Sequence, residues 1–146
     1  MNYKSLKTVD YIFVHCAATP PDVDIGAKEI DRWHRERGFF QIGYHWVIRR
    51  NGMTENGRDP TIPGAHCRGY NERSLAICLV GGCKRNGKVL VPENNFTDDQ
   101  FVTLAEKLKE LHAKFPNAKI VGHNEFDPGK ACPSFDVQQW LATVPL

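Results

Sequence analysis

The sequence predicts an α/β domain in which a central mixed β-sheet is flanked by helices, on three observations. Runs rich in β-branched and aromatic residues alternate with stretches of helical period, the order expected when helices pack on the faces of a sheet. The run Leu75-Ala-Ile-Cys-Leu-Val80 is almost continuously apolar, as a central strand covered on both faces requires. The chain has 146 residues, which suits one hydrophobic core of the common size of about 100–150 residues. A single domain is therefore expected over residues 1–146, with residues 1–10 as an N-terminal tail.

The elements follow in order. Tyr11-Ile-Phe-Val-His-Cys-Ala17 lacks Gly and Pro and stops before Pro20-Pro21, which reads as a buried strand whose one ring nitrogen pair, on His15, needs a reason to be there. Ile30, Trp33, His34 and Arg37 recur at i, i+3, i+4 and i+7, with Asp24 as a candidate N-cap and Gly38 as a stop, so a helix is predicted. Gly43 to Arg50 alternates, and Asn51-Gly52 predicts a type I′ hairpin returning Met53 to Asn56 as the paired strand. Gly57 to Arg73, with two prolines and three glycines, reads as a long surface loop, a kind of segment that often carries function. Thr97 with Gln100 forms a capping box, Phe96 and Phe101 fit the flanking staple, and Leu104, Leu108, Leu111 and Phe115 supply the buried stripe of the clearest helix. Ala118 to Gly122 is a further strand and Asp136 to Thr143 a last helix.

Composition narrows the function classes. The chain is 41% hydrophobic and 25% charged, which excludes disordered and collagen-like classes. Nineteen Lys+Arg against seventeen Asp+Glu give a net charge of +2, scattered rather than massed. Direct nucleic-acid binding is not expected, and an anionic polymer is compatible. No apolar run precedes Tyr11 and none approaches roughly 20 residues, so neither a secretory signal nor a membrane partner is expected, and the location predicted is cytoplasmic. Five cysteines, Cys16, Cys67, Cys78, Cys83 and Cys132, read as reduced thiols rather than a disulfide framework. A monomer is the default.

The stretch with most chemistry is Gly122-His-Asn-Glu-Phe-Asp-Pro-Gly-Lys-Ala-Cys-Pro-Ser-Phe135, a loop offering an imidazole, a thiol and an ammonium. His15 and His123 both stand near predicted strand ends, where sites of such folds gather. With Cys132 they make a His2Cys set of zinc type that leaves a fourth tetrahedral position open, the mark of a catalytic rather than structural site. Spacing alone leaves open that these residues are unrelated.

The motifs together are more specific. Ile12-Phe-Val-His-Cys-Ala-Ala-Thr19, Trp33-His34, Gly43-Tyr-His-Trp-Val-Ile48, Gly64-Ala-His-Cys-Arg-Gly-Tyr-Asn71, Cys78-Leu-Val-Gly-Gly82 and Gly122-His123 through Ala131-Cys-Pro-Ser-Phe135 resemble, in order and across almost the whole chain, the zinc N-acetylmuramoyl-L-alanine amidases. The likeness is greatest to the small lysozymes of podophages, which are related to animal peptidoglycan recognition proteins. The resemblance implies that fold, one Zn2+ per chain on His15, His123 and Cys132, and catalytic roles for Tyr44 and Lys130. It implies hydrolysis of the bond between N-acetylmuramic acid and L-alanine in bacterial peptidoglycan, as in host-cell lysis by an endolysin. It also implies binding and inhibition of a phage single-subunit RNA polymerase, to which the charge pattern adds nothing. His66 falls in the glycine-rich loop that matches the family's cleft wall, implying a substrate contact. A non-catalytic peptidoglycan-binding module is the alternative, and Cys132 argues against it.

Zinc lowers the pKa of bound water to about 7 and polarises a carbonyl. Lys130 is suited to stabilising a tetrahedral oxyanion. Tyr44, with a reference pKa of about 10, is suited to orientation rather than to service as a free base. His34 is expected to pack or hydrogen-bond near the first helix, His45 to point away from Tyr44, and Cys16, Cys78 and Cys83 to be structural, with strand alternation turning Cys16 from His15.

Overall fold

The computed structural model describes residues 5–146; the first four residues of the expected tail lie outside them. The rest of that tail has no regular secondary structure but is docked. The Leu6 N–H donates to Thr61 O at 2.8 Å and the Asp10 N–H to Arg73 O at 2.8 Å, while Leu6 and Val9 pack on the core.

The elements run β1 (Tyr11–Cys16), α1 (Ala27–Glu36), β2 (Trp46–Ile48), β3 (Thr54–Asn56), β4 (Ser74–Leu79), β5 (Cys83–Asn86), β6 (Val89–Pro92), α2 (Asp98–Lys114), β7 (Lys119–Gly122) and α3 (Val137–Leu141), with 3-10 turns at Asn71–Arg73 and His123–Glu125. Five strands form one sheet in the order β3-β2-β4-β1-β7. The β2–β4, β4–β1 and β1–β7 pairs are parallel and β2–β3 is antiparallel, so the sheet is mixed as the sequence predicts.

Alternation along β1 and β4 divides the core. Ile12, Val14, Leu75, Ile77 and Leu79 face α2 and α3, where Leu104, Leu108, Leu111 and Val137 complete one buried cluster. Each such aliphatic side chain contributes roughly 1.5–3 kcal/mol on full burial. The other face meets α1 through Val47, Cys78, Val80 and Ile30, and the long loop through Phe13, Val121, Cys67 and Tyr70. His15 lies on this second face, stacked on Phe13 at 5.9 Å between ring centroids.

The capping box of α2 is present: Thr97 Oγ1 accepts from the Gln100 N–H at 3.1 Å and Gln100 Oε1 from the Thr97 N–H at 3.0 Å. Gln100 also donates through Nε2 to Val80 O at 2.8 Å, tying the helix start to the end of β4. Three expectations need correction. The first helix begins at Ala27, not after Asp24: Glu29 accepts from the Gly26 N–H and Glu55 from the Ala27 N–H, while Asp24 pairs with Arg49. The Asn51-Gly52 turn is not type I′, because only Gly52 has positive φ (87°). The Gly52 N–H donates to Arg49 O and the Arg49 N–H to Met53 O, which is the three-residue loop with glycine in the left-handed position. The antiparallel hairpin of β5 and β6 was not predicted.

His45 is fully buried. Its Nδ1 accepts from the Ala76 N–H at 3.1 Å, and its Nε2 lies 2.9 Å from Ile62 O, to which it donates. The bond from Ala76 requires the neutral ring, since a protonated Nδ1 cannot accept, and burial pushes its pKa from 6.5 to about 4. Between these values the unfolded chain takes up a proton that the folded chain refuses. Stability should therefore be unaffected by His45 above pH 6.5 and fall as pH drops from 6.5 towards 4. Urea unfolding across that window tests this. His45→Gln should lose up to about 1.4 kcal/mol per pH unit of the wild-type slope; an unchanged slope would assign the acid sensitivity elsewhere.

Candidate metal centre

The parallel register of β1 with β7 pairs Val14 with Gly122, so the next residues, His15 and His123, emerge side by side at the carboxyl ends of adjacent strands. Ligand sites of α/β sheets gather at such ends. The two ring centroids are 4.6 Å apart. His15 is 1% exposed and His123 half-buried at the start of its 3-10 turn.

Cys132 arrives on the loop between that turn and α3. Its carbonyl accepts from the Asn124 N–H at 2.8 Å, and Ser134 Oγ donates to Gly82 O at 2.8 Å, which fastens the loop over the end of β1. The Cys132 Sγ then lies 3.6 Å from His15 Nδ1. One donor atom each from His15, His123 and Cys132 falls within 4.8 Å of the others, and this is the one such group among the described residues. Nitrogen at about 2.05 Å and sulfur at about 2.3 Å from a tetrahedral zinc lie roughly 3.6 Å apart, so the His15–Cys132 separation matches that ion's spacing, and the two imidazoles and one thiol match its chemistry.

Cys16 departs from expectation. Its backbone N–H donates to Cys132 Sγ at 3.2 Å, its Sγ lies 3.9 Å from Ser134 Oγ, and it lines the cleft. Alternation does turn it from His15, but Cys132 covers the strand's end rather than one face, so both neighbours reach it. The hydrogen bond between the two thiols, with burial, holds Cys132 well above the usual thiol range.

His123 and Cys132 line a cleft of about 690 Å³ together with Trp33, Tyr44, His66, Arg68 and Lys130. Tyr44 packs against His15 at 5.1 Å between centroids; burial first, then the nearby thiols, raise its phenol well above 10. It is a neutral hydrogen-bond donor near pH 7. Lys130 is exposed on the rim, where the Lys130 N–H is anchored on Asp127 O at 3.0 Å. The structure thus brings His123, Cys132, Tyr44, Lys130 and His66 to one cleft, with His15 buried just behind its wall against Tyr44, His66 and His123.

Two other histidines are used by the scaffold. His34 Nδ1 accepts from the Gly43 N–H at 2.9 Å, and His45 is spent on Ile62 and Ala76. Gly43 is needed for close approach: a Cβ there would stand 2.1 Å from Ala65 O. That approach sets the Gly64-Ala65-His66 wall against Tyr44. Ser74, bonded to His66, was missed in the sequence because it reads only as the residue before an apolar run.

Residues 5–135 match the family model described as N-acetylmuramoyl-L-alanine amidase. The endolysin of Enterobacteria phage K11 is 47% identical over 131 residues, covering 90% of this chain and 84% of that protein. Among solved structures, the N-acetylmuramoyl-L-alanine amidase LysC from Clostridium intestinale URNW is similar with a TM-score of 0.77 at 22% identity, covering 99% of this chain and 96% of that one. Drosophila PGRP-LB is similar with a TM-score of 0.77 at 21% identity, covering 99% and 86%. At those identities the two structures speak to the fold.

Proposed function

The chain belongs to the N-acetylmuramoyl-L-alanine amidase family, and from that premise we propose that it cleaves the amide between N-acetylmuramic acid and L-alanine in bacterial peptidoglycan with one zinc ion held by His15, His123 and Cys132, as an endolysin acting in phage lysis. The observation that carries the reading is the convergence of the three donor atoms within 4.8 Å of one another, beside a cleft that His123 and Cys132 line. A binding module without hydrolysis would leave that set, thiol included, without a task.

Bound there, zinc would supply an acidified water with a pKa of about 7 and a Lewis acid for the carbonyl. The protein's own part is positional and electrostatic. The Lys130 ammonium on the rim can approach the carbonyl oxygen as negative charge develops on it, and a fixed cation counts for most where substrate has displaced water. The Tyr44 phenol, held neutral by burial, has a single O–H and is suited to orienting the attacking water through one hydrogen bond. Hydrolysis adds water across the amide: the carbonyl carbon gains oxygen, the C–N bond breaks, and the proton goes to the departing amine of L-alanine. Arg37, Arg68 and Lys130 in the cleft favour a substrate bearing carboxylates, as wall peptides do. Inhibition of a phage RNA polymerase stays outside this proposal, since no residue of the cleft bears on it.

Removal of zinc should abolish release of peptides from peptidoglycan, and zinc should restore it. The product should be a peptide with a free L-alanine amino terminus beside intact glycan. Full-rate release by protein shown metal-free by elemental analysis, or cleavage within the glycan, would refute the assignment.

Lys130→Ala and Cys132→Ser should fail differently. The first should keep its zinc and lose on the order of a hundredfold in rate, the lower end of what one oxyanion donor is worth, because Lys130 is exposed and screened before substrate binds. The second should lose zinc affinity itself and regain some turnover in excess zinc. Zinc content and rate measured on both variants decide this; a Lys130→Ala protein at full rate would remove Lys130 from the catalytic set.

A further inference from the structure

His66 lines the cleft as a substrate contact would, yet neither of its ring nitrogens is available. Nδ1 lies 2.9 Å from His15 Nε2 and Nε2 lies 2.9 Å from Ser74 Oγ. We infer that Ser74 and His66 form a hydrogen-bonded relay that holds His15 in the tautomer protonated on Nε2, keeping its Nδ1 lone pair turned towards Cys132, so that His66 is a positioning residue for the metal centre. The inference rests on the zinc reading above.

The direction of each bond follows from valence. Ser74 Oγ lies 2.7 Å from Tyr70 O. Two oxygens at that distance need a hydrogen between them, and a carbonyl has none to give, so the hydroxyl donates to Tyr70. Ser74 then offers His66 only a lone pair, and His66 Nε2 must carry the proton. A neutral imidazole has one N–H, which leaves His66 Nδ1 as an acceptor. His15 Nε2 must therefore donate to it. With its single proton placed there, His15 has a bare Nδ1, the nitrogen 3.6 Å from Cys132 Sγ. A histidine ligand commonly has its other nitrogen bonded to an acceptor that sets tautomer and ring orientation; here that acceptor is a second histidine.

The relay is built into the fold. Ser74 is fully buried at the start of β4, directly opposite Tyr11 in the β1 register. The His66 and Cys67 N–H groups both donate to Asn71 Oδ1, at 2.8 and 3.0 Å. The ring packs edge-on to Phe13 at 5.2 Å between centroids, and Gly64 admits it closely, since a Cβ there would stand 2.9 Å from His66 Cδ2. His66 is thus fixed through both ring nitrogens and its own backbone N–H by the protein itself.

Ser74→Ala removes one oxygen from a buried strand and tests the relay with little risk to folding; His66→Phe removes its centre. Zinc affinity is measured by competition with a chromophoric chelator, and the His15 tautomer by nitrogen-15 NMR of the imidazoles in zinc-free protein. Both variants should bind zinc roughly 10–100-fold more weakly. Wild-type His15 should be protonated on Nε2, and Ser74→Ala should shift it towards the Nδ1-protonated form, which a merely structural serine would not do. If wild type binds zinc and Ser74→Ala binds it equally well, or if wild-type His15 carries its proton on Nδ1, the relay is wrong and the zinc reading stands. A wild-type protein that takes up no zinc overturns both.

Discussion

The site depends on one constraint, the parallel pairing of β1 with β7 in the register that sets Val14 beside Gly122. A slip of one residue would turn His15 to the opposite face, among the leucines of α2, because side chains on a strand alternate with period two. The hydrophobic pattern forbids that slip. Ile12 and Val14 are buried against the α2 cluster while Phe13 belongs to the aromatic cluster on the other side. The same apolar residues that make the core therefore aim the imidazole.

What surrounds the pair of histidines is a division of labour among imidazoles. His34 and His45 each accept a backbone N–H, and in both burial is the largest cause of a pKa near 4. They stay neutral because a charged ring would lose both solvation and its bond. His15 faces two partners of different kind, a histidine on one nitrogen and a thiol on the other. Among the described residues, His15 and His123 are the pair that bring ring nitrogens to the same thiol.

Much of this was legible in the sequence where the determinants are local. The capping box of α2 lies within four residues, and β1 and β4 announce themselves by apolar runs that tertiary packing only reinforces. The candidate ligand set was legible through motifs, not through spacing: nothing between His15 and Cys132 in sequence shows that a loop closes over the end of β1. The Asp24 cap failed because Glu55, on a different strand, supplies the acceptor at Ala27. The β5–β6 hairpin escaped because Lys84, Arg85, Val89 and Leu90 are all exposed, leaving no buried face to print a period. The His66–Ser74 bond joins two loop-and-strand positions whose residue types are unremarkable alone, so only the fold brings it to view.

The central claim is that His15, His123 and Cys132 hold one zinc between them. X-ray absorption at the zinc edge of the purified protein tests it most directly, since sulfur and nitrogen scatter distinguishably at their bond lengths of about 2.3 and 2.0–2.1 Å. The account expects one zinc per chain with two nitrogens, one sulfur and one further light atom, the sulfur lost in Cys132→Ser. A first shell with no sulfur in the unmodified protein, or one unchanged in Cys132→Ser, would contradict it.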